Sequence, residues 1–130
     1  MATILLDSCV IFDLLNGRRK RREYLNQVLE EGNLLACCPV NITEVYAGVR
    51  EHELTVTRLF LESLEFLPVT AAIAEAAGLL RRHWSRRGRT LSFMDVTIAA
   101  VAIHHRAPLL TDNVKDFPMS GLELYPLPRA

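Results

Sequence analysis

Short apolar runs alternate along the chain with longer stretches in which apolar residues recur every three or four positions. Such runs are typical of buried strands, and the longer stretches predict amphipathic helices. The strand candidates are residues 2–6, 34–38, 66–69, 108–111 and 122–125, with Pro68 favouring an edge position for the third. The alternation predicts an α/β fold, in which a parallel sheet of about five strands carries helices on both faces.

The helical stretches are bounded by residues that favour helix ends. Asn and Ser commonly cap helix starts, and Gly commonly follows helix ends. The predicted helices are residues 10–15, a second ended by Gly32, a third opened by Asn41, a fourth carrying Val56, Leu59, Phe60 and Leu64, residues 70–87 ended by Gly88, and a last capped by Ser92 that runs to about Arg106.

Length and composition predict one globular domain spanning residues 1–130, half of whose residues are hydrophobic. The three cysteines cannot close a disulfide framework, and we expect them to serve as apolar filler in a reducing cytoplasm. No signal peptide or membrane span is predicted. The 15 basic and 15 acidic residues cancel, which by itself argues against a general nucleic-acid binder.

Acidic residues follow strands or begin helices. Asp7 ends the first predicted strand, and Asp112 and Asp116 follow the fourth. Glu44 and Asp95 stand in the first turns of two predicted helices. The carboxyl ends of parallel strands meet at one edge of the sheet, so we expect three or four of these carboxylates to share a cleft.

Simpler interpretations exist for the helical acids. Asn41-x-x-Glu44 and Ser92-x-x-Asp95 both resemble capping boxes, in which the acid closes back onto the cap residue. An acid in a first turn also interacts favourably with the helix dipole. From spacing alone, capping is the better explanation for either acid.

The remaining acids differ in how well an ordinary structural role explains them. Asp7 is hard to explain as surface, because an acid that ends an apolar strand is at least partly buried and no cation lies near it in sequence. Asp112 and Asp116 also fit a simple turn. Asp13 is either a solvent-facing residue or a further member of the cluster.

Carboxylates packed together repel one another, and a divalent cation relieves that repulsion. Ligand sets made only of oxygen favour Mg²⁺ or Mn²⁺ over zinc or copper. Such a site lowers the pKa of a bound water and stabilises charge on a phosphoryl oxygen, which suits phosphodiester hydrolysis.

Four motifs in order give the chain a family resemblance. They are residues 5–11 (LLDSCVI), 41–48 (NITEVYAG), 92–100 (SFMDVTIAA) and 110–117 (LTDNVKDF). Together they resemble the PIN-domain ribonucleases of the VapC toxin type, from type II toxin–antitoxin pairs. The resemblance covers nearly the whole chain and implies a PIN-like fold, dependence on Mg²⁺ or Mn²⁺ and endonucleolytic cleavage of RNA.

The resemblance also implies roles for particular residues. Asp7 and Asp95 would be the principal metal ligands, and Glu44 would complete the site directly or through water. Many relatives have a fourth acid where this sequence has Asn113, so Asp112, Asn113 or Asp116 fills that place, and Asp112 and Asp116 are the catalytic candidates. Residues predicted to orient the carboxylates or bound water are Ser8, Thr111 and Asn113.

Partners follow from the same resemblance and from two basic runs. The family implies a homodimer and a cognate antitoxin of the VapB type. Surplus apolar residues in the early helices either line a groove for an antitoxin helix or belong to the core. Two basic runs either contact RNA phosphates or are simply solvated, and both roles can hold together; the candidate RNA-binding cations are Arg18, Arg19, Lys20, Arg21, Arg22, Arg86, Arg87 and Arg89.

Two other functions fit parts of the sequence. One is a PIN-like module that binds metal or RNA without cutting it, and the uncertain fourth acid favours this alternative. The other is a Mg²⁺-dependent α/β signalling domain with a phosphoacceptor aspartate. Such domains usually pair that aspartate with a lysine after the last strand, for which Lys115 is the nearby candidate.

Overall fold

The computed structural model describes residues 1–127. The strands are β1 (Thr3–Leu6), β2 (Leu34–Cys37), β3 (Glu65–Phe66) and β4 (Leu109–Leu110). The helices are α1 (Ser8–Leu15), α2 (Arg21–Glu30), α3 (Pro39–Gly48), α4 (Leu54–Glu62), α5 (Ala71–Ser85) and α6 (Phe93–His105), with short 3-10 helices at Glu51–Glu53 and Val114–Asp116.

The strands form one parallel sheet in the order β3-β2-β1-β4. The expected parallel α/β architecture is confirmed, and β3 lies at an edge as Pro68 predicts. The sheet has four strands rather than about five. The segment 122–125 makes a single bridge, between Leu109 and Leu124. Its ladder cannot continue, because Pro126 has no backbone N–H to donate.

Two apolar layers cover the two faces of the sheet. Leu5 and Leu109 face α5 and α6, together with Ile73 and Ile98 from those helices. Neighbouring strand residues alternate in direction, so Ile4, Leu6 and Leu110 face the layer built from α1 to α4. This alternation places helices on both faces and brings the carboxyl ends of β1 and β4 side by side.

Two helices begin earlier than the sequence pattern predicts. Helix α1 begins at Ser8, with Asp7 as its N-cap residue. Helix α3 begins at Pro39, because proline has no N–H to satisfy and suits the first helical position. Asn41 is therefore the third residue of that helix, and its predicted role as the residue that opens the helix is wrong.

The predicted start of α5 near Thr70 and the predicted cap Ser92 agree with the structure. Thr70 accepts a hydrogen bond from the backbone of Ile73 at the start of α5, and Ser92 caps α6. No helix within residues 1–127 is long and apolar enough to cross a membrane. All three cysteines are free.

Candidate active site

Asp7 is buried at the junction of β1, α1 and β4, with 5% of its surface exposed. Its Oδ1 accepts the backbone N–H of Ser8 at 2.8 Å. Its Oδ2 accepts the hydroxyl of Thr111, which directly follows β4, at 2.6 Å. The pairing of β1 with β4 places these two residues together, since the Asp7 N–H donates to the Leu110 carbonyl.

Glu44 is joined to the start of α1 by hydrogen bonds. Ser8 Oγ donates to Glu44 Oε1 at 2.9 Å, and Asn41 Nδ2 donates to Ser8 Oγ at 3.1 Å. Asn41 is fully buried, and its Oδ1 accepts the Cys38 N–H at 2.9 Å. The capping-box interpretation of Asn41-x-x-Glu44 is therefore wrong, because Asn41 closes onto Cys38 and orients Ser8 toward Glu44.

Asp95 lies in the first turn of α6, where its N–H donates to Ser92 Oγ at 3.0 Å. Burial is the main cause that raises the pKa of Asp95 above its ordinary value. The charges of Asp7, Asp116 and Glu44 raise this pKa further, against the Ser92 hydrogen bond, which lowers it. The structure thus brings these carboxylates close enough to interact electrostatically.

The Asp112 side chain instead forms ion pairs with two arginines, Arg19 and Arg21. Both of its carboxylate oxygens lie 2.9 Å from Arg21 Nη2, and Oδ2 also lies 2.9 Å from Arg19 Nη1. Asp13 Oδ2 lies 3.6 Å from Arg21 Nε, so this side chain neither faces solvent freely nor joins the acid cluster.

Arg21 is 1% exposed, so its predicted contact with RNA phosphates is wrong. The other predicted cations are exposed: Arg18, Arg19, Lys20, Arg22, Arg86, Arg87 and Arg89.

Two contacts near Asp7 differ from their predicted form. Asn113 is exposed and reaches the site through its backbone N–H, which donates to Thr111 Oγ1 at 3.0 Å. Cys9 is more than filler, since its Sγ lies 3.6 Å from Asp7 Oδ2 and 3.7 Å from Thr111 Oγ1. Burial, followed by the charge of Asp7, raises the pKa of Cys9 to about 11, so it remains a thiol at neutral pH. The sequence could have indicated this contact, because Cys9 stands only two residues after Asp7.

The donors offered by this site are carboxylate and hydroxyl oxygens, which suit a hard divalent cation. Within residues 1–127, no three His, Cys, Asp or Glu side chains are grouped closely enough to bind one ion together. Mg²⁺ commonly binds through one or two carboxylates and retains several waters. The donor set therefore fits an ion held largely by water, rather than one enclosed by protein ligands.

Comparison with known proteins agrees with this arrangement. Residues 4–118 match the PIN domain family. Ribonuclease VapC19 of Mycobacterium tuberculosis is 35% identical over 115 residues, which cover 88% of this chain and 92% of that protein. A toxin–antitoxin complex from Klebsiella pneumoniae superposes with a TM-score of 0.75 at 30% identity, covering 92% of this chain and 94% of that one.

The fold agrees equally well with a more distant structure. VapBC2 from Rickettsia felis, bound to a DNA fragment from its promoter, superposes with a TM-score of 0.80 at 23% identity. That match covers 95% of this chain and 97% of the other. The sequence match and the parallel sheet lead to one conclusion: the chain belongs to the PIN domain family.

Proposed function

We propose that this protein is the toxin of a type II toxin–antitoxin pair and acts as a divalent-metal-dependent endoribonuclease. The observation that carries the proposal is the hydrogen-bonded set around Asp7: its carboxylate accepts from the Ser8 backbone and the Thr111 hydroxyl, and the Ser8 hydroxyl donates to Glu44. Relatives named as VapC ribonucleases match 88% and 89% of the chain, which supports RNA as the substrate.

Membership of the PIN domain family implies dependence on a divalent metal ion. We infer Mg²⁺ or Mn²⁺, because the donors are oxygen atoms. Asp7 and Asp95 would hold the ion, with Glu44 acting directly or through water. The hydroxyls of Ser8 and Thr111 fix the orientation of two of these carboxylates, as groups behind metal ligands commonly do.

The proposed reaction is hydrolysis of a phosphodiester bond. When bound, the ion supplies a water of lowered pKa and positive charge near the phosphoryl oxygens. Glu44 orients the attacking water or accepts its proton, and the Ser8 hydroxyl holds its carboxylate in place for that task. The water oxygen bonds to phosphorus, and one RNA end leaves as an alcohol.

We assign the fourth acidic position to Asp116 rather than to Asp112. The charge of Asp116 acts on Asp95, whereas Asp112 is paired with Arg19 and Arg21. A carboxylate held by two guanidinium groups is poorly placed to serve a metal ion as well. Asn113 contributes to the site through its backbone contact with Thr111.

An apolar groove of about 470 Å³ between α1, α2 and α4 is the proposed antitoxin site. Val56 and Leu59 on its wall are 63% and 64% exposed, although both are apolar. Their exposure suits the apolar face of an amphipathic helix. Of the surplus residues in α1 and α2, Leu15 and Leu29 line the groove, whereas Val10 belongs to the core. The family resemblance also supports a homodimer.

The deciding experiment compares the wild-type protein with Asp7→Asn, using total RNA in Mg²⁺ or Mn²⁺ and, separately, in EDTA. We expect wild-type cleavage only with the divalent ion. Asp7→Asn should cut no RNA while retaining the wild-type circular dichroism spectrum, because asparagine preserves the shape but removes the charge. Wild-type activity in Asp7→Asn contradicts the site assignment.

The same assay separates the nuclease from a non-cleaving PIN-like module. RNA that binds but stays intact in both ions would favour the module. The match to the PIN domain family makes the phosphoacceptor alternative the weaker one, and the absence of an aspartyl phosphate after treatment with a phosphodonor would remove it.

A further inference from the structure

Phe93 is an exposed aromatic side chain in the helical turn that also carries Asp95. It is the first residue of α6, two positions before Asp95. It is 68% exposed, more than any other large apolar residue in the described part of the chain except Met1. Residues two apart in an α-helix project to different sides, so the ring and the Asp95 carboxylate do not face each other, but their backbone positions lie within about 6 Å in one turn.

The Phe93 ring is held by an arginine rather than packed in the core. The guanidinium carbon of Arg81 lies 4.0 Å from the ring centroid, which is a cation–π contact. Arg81 is fixed in turn, because its Nε donates to the Leu91 carbonyl at 2.8 Å. The contact covers one side of the ring, and the high exposure of Phe93 leaves the rest of the side chain open to solvent.

The segment that leads to Phe93 is cationic and meets the acidic turn. Arg89 Nη2 donates to the carbonyl of Lys115, the residue before Asp116. Positive charge therefore lies on α5 at Arg81 and, after that helix, at Arg89, which contacts the turn that carries Asp116. A polyanion whose scissile phosphate meets the carboxylates would find cations along this side of the site.

We propose that Phe93, clamped by Arg81, is the stacking platform for an unpaired RNA base next to the scissile phosphate. This inference rests on the proposed function. Every base has an aromatic face, and that face is free to stack on a side chain only where the RNA is single-stranded. The site would therefore take single-stranded segments, with arginines contacting the backbone and Phe93 the base.

Binding of a fluorescently labelled, single-stranded RNA of randomised sequence tests the proposal. The measurement uses Asp7→Asn as the parent, so that the probe is not cut. Phe93→Leu in that parent should weaken binding by about fivefold to a hundredfold, the range found when a stacked aromatic is removed. Phe93→Trp should retain parental affinity, since it preserves an aromatic face.

Phe66 provides the matched control. It is 54% exposed and lies on β3, at the opposite edge of the sheet from β4. Phe66→Leu should leave RNA affinity at the parental value. An equal loss in both leucine variants would overturn the proposal, because it would reflect general loss of apolar surface.

Two further results would overturn the stacking proposal, and a third would contradict the proposed function. If Phe93→Leu binds RNA as tightly as its parent, the stacking role is overturned. That result does not bear on the proposed nuclease activity, which is measured separately on the wild-type protein. A changed oligomeric state of Phe93→Leu in light scattering overturns the stacking role too, since Phe93 would then be a subunit contact. Wild-type protein that neither binds nor cuts RNA in Mg²⁺ or Mn²⁺ contradicts the proposed function itself.

Discussion

The buried Arg21 and the partly exposed Asp112 form an ion pair that joins the start of α2 to the loop after β4. Arg21 Nη2 lies 2.9 Å from both carboxylate oxygens, and the arginine side chain is 1% exposed. Thr111, the neighbour of Asp112, donates to Asp7. The ion pair therefore fixes the loop from which Thr111 reaches the acid cluster.

Replacing Arg21 by Met should destabilise the protein by about 1.5–3 kcal/mol, because Asp112 and Asp13 lose a buried cation, although Asp112 keeps Arg19 as a partner. Urea unfolding followed by circular dichroism measures the change. Arg22→Met is the control, since Arg22 is exposed and should alter stability by less than about 0.5 kcal/mol. Similar stability of the two variants would show that the ion pair contributes nothing.

The neighbouring acids should separate into a structural and a functional one. Asp116→Asn should lower RNA cleavage by about tenfold to a hundredfold with little change in stability, as expected for a group that supports a metal site. Asp112→Asn should instead lower the unfolding free energy, because Arg19 and Arg21 each lose one ionic contact. Cleavage rates and urea midpoints of both variants test the assignment, and a reversed pattern would make Asp112 the fourth acid.

The sheet and the acids were predictable because they depend on local pattern. Apolar runs mark the strands, and the rule that sites lie beyond the carboxyl ends of parallel strands pointed to Asp7. Whether Asp112 or Asp116 joins the site was not predictable from spacing. That choice depends on a cation 91 residues away along the chain, Arg21.

The burial of Arg21 could not be predicted from the sequence for a similar reason. The run RRKRR reads as uniformly exposed, but Arg19 and Lys20 adopt left-handed backbone with φ of 54° and 53°. Residues other than glycine seldom do so, and no residue type in the run marks this conformation. The backbone then enters α2 with Arg21 buried and Arg22 outside. Only tertiary packing settles which cation of the run is structural.

Thr111→Val should reduce cleavage by about tenfold to a hundredfold, because Asp7 Oδ2 loses a hydrogen bond of 2.6 Å that orients it. The half-saturating Mn²⁺ concentration should rise with this loss. Thr57→Val is a matched control: Thr57 is also buried, on α4, and its hydroxyl has no partner among the described residues.

Thr57→Val should leave cleavage unchanged and raise stability by about 1 kcal/mol, because it removes a buried hydroxyl that lacks a hydrogen bond. Equal cleavage by Thr111→Val and the wild type would deny Thr111 a role in orienting Asp7. Cleavage rates across a Mn²⁺ titration and urea midpoints provide both readouts.

Neutralising three exposed arginines should weaken the salt dependence of RNA binding. If Arg86, Arg87 and Arg89 each contact a phosphate, replacing all three by Ala reduces the slope of log affinity against log salt by about 2 for single-stranded RNA. Anisotropy titrations at several NaCl concentrations measure the slope in the Asp7→Asn parent. Arg50→Ala, an exposed control away from both runs, should keep the parental slope. An unchanged slope in the triple variant excludes this run from the interface.

Asp95→Asn should stabilise the metal-free protein at neutral pH. Burial and the neighbouring acids raise the pKa of Asp95, so deprotonation is harder in the folded protein than in the unfolded chain. The resulting cost is fully present above the raised pKa and absent below the ordinary Asp value of about 3.9, where both states are protonated. Removing the charge should therefore raise the melting temperature, by at most about 4 °C because solvent screens a partly exposed group.

Thermal melts in EDTA across a pH series test this sign. The stabilisation in Asp95→Asn should be largest near neutral pH and should decline as the pH falls through the raised pKa. Glu75→Gln, which removes an exposed acid on α5, should leave the melting temperature unchanged. A lower melting temperature for Asp95→Asn at neutral pH would mean that the acids around Asp95 do not repel it.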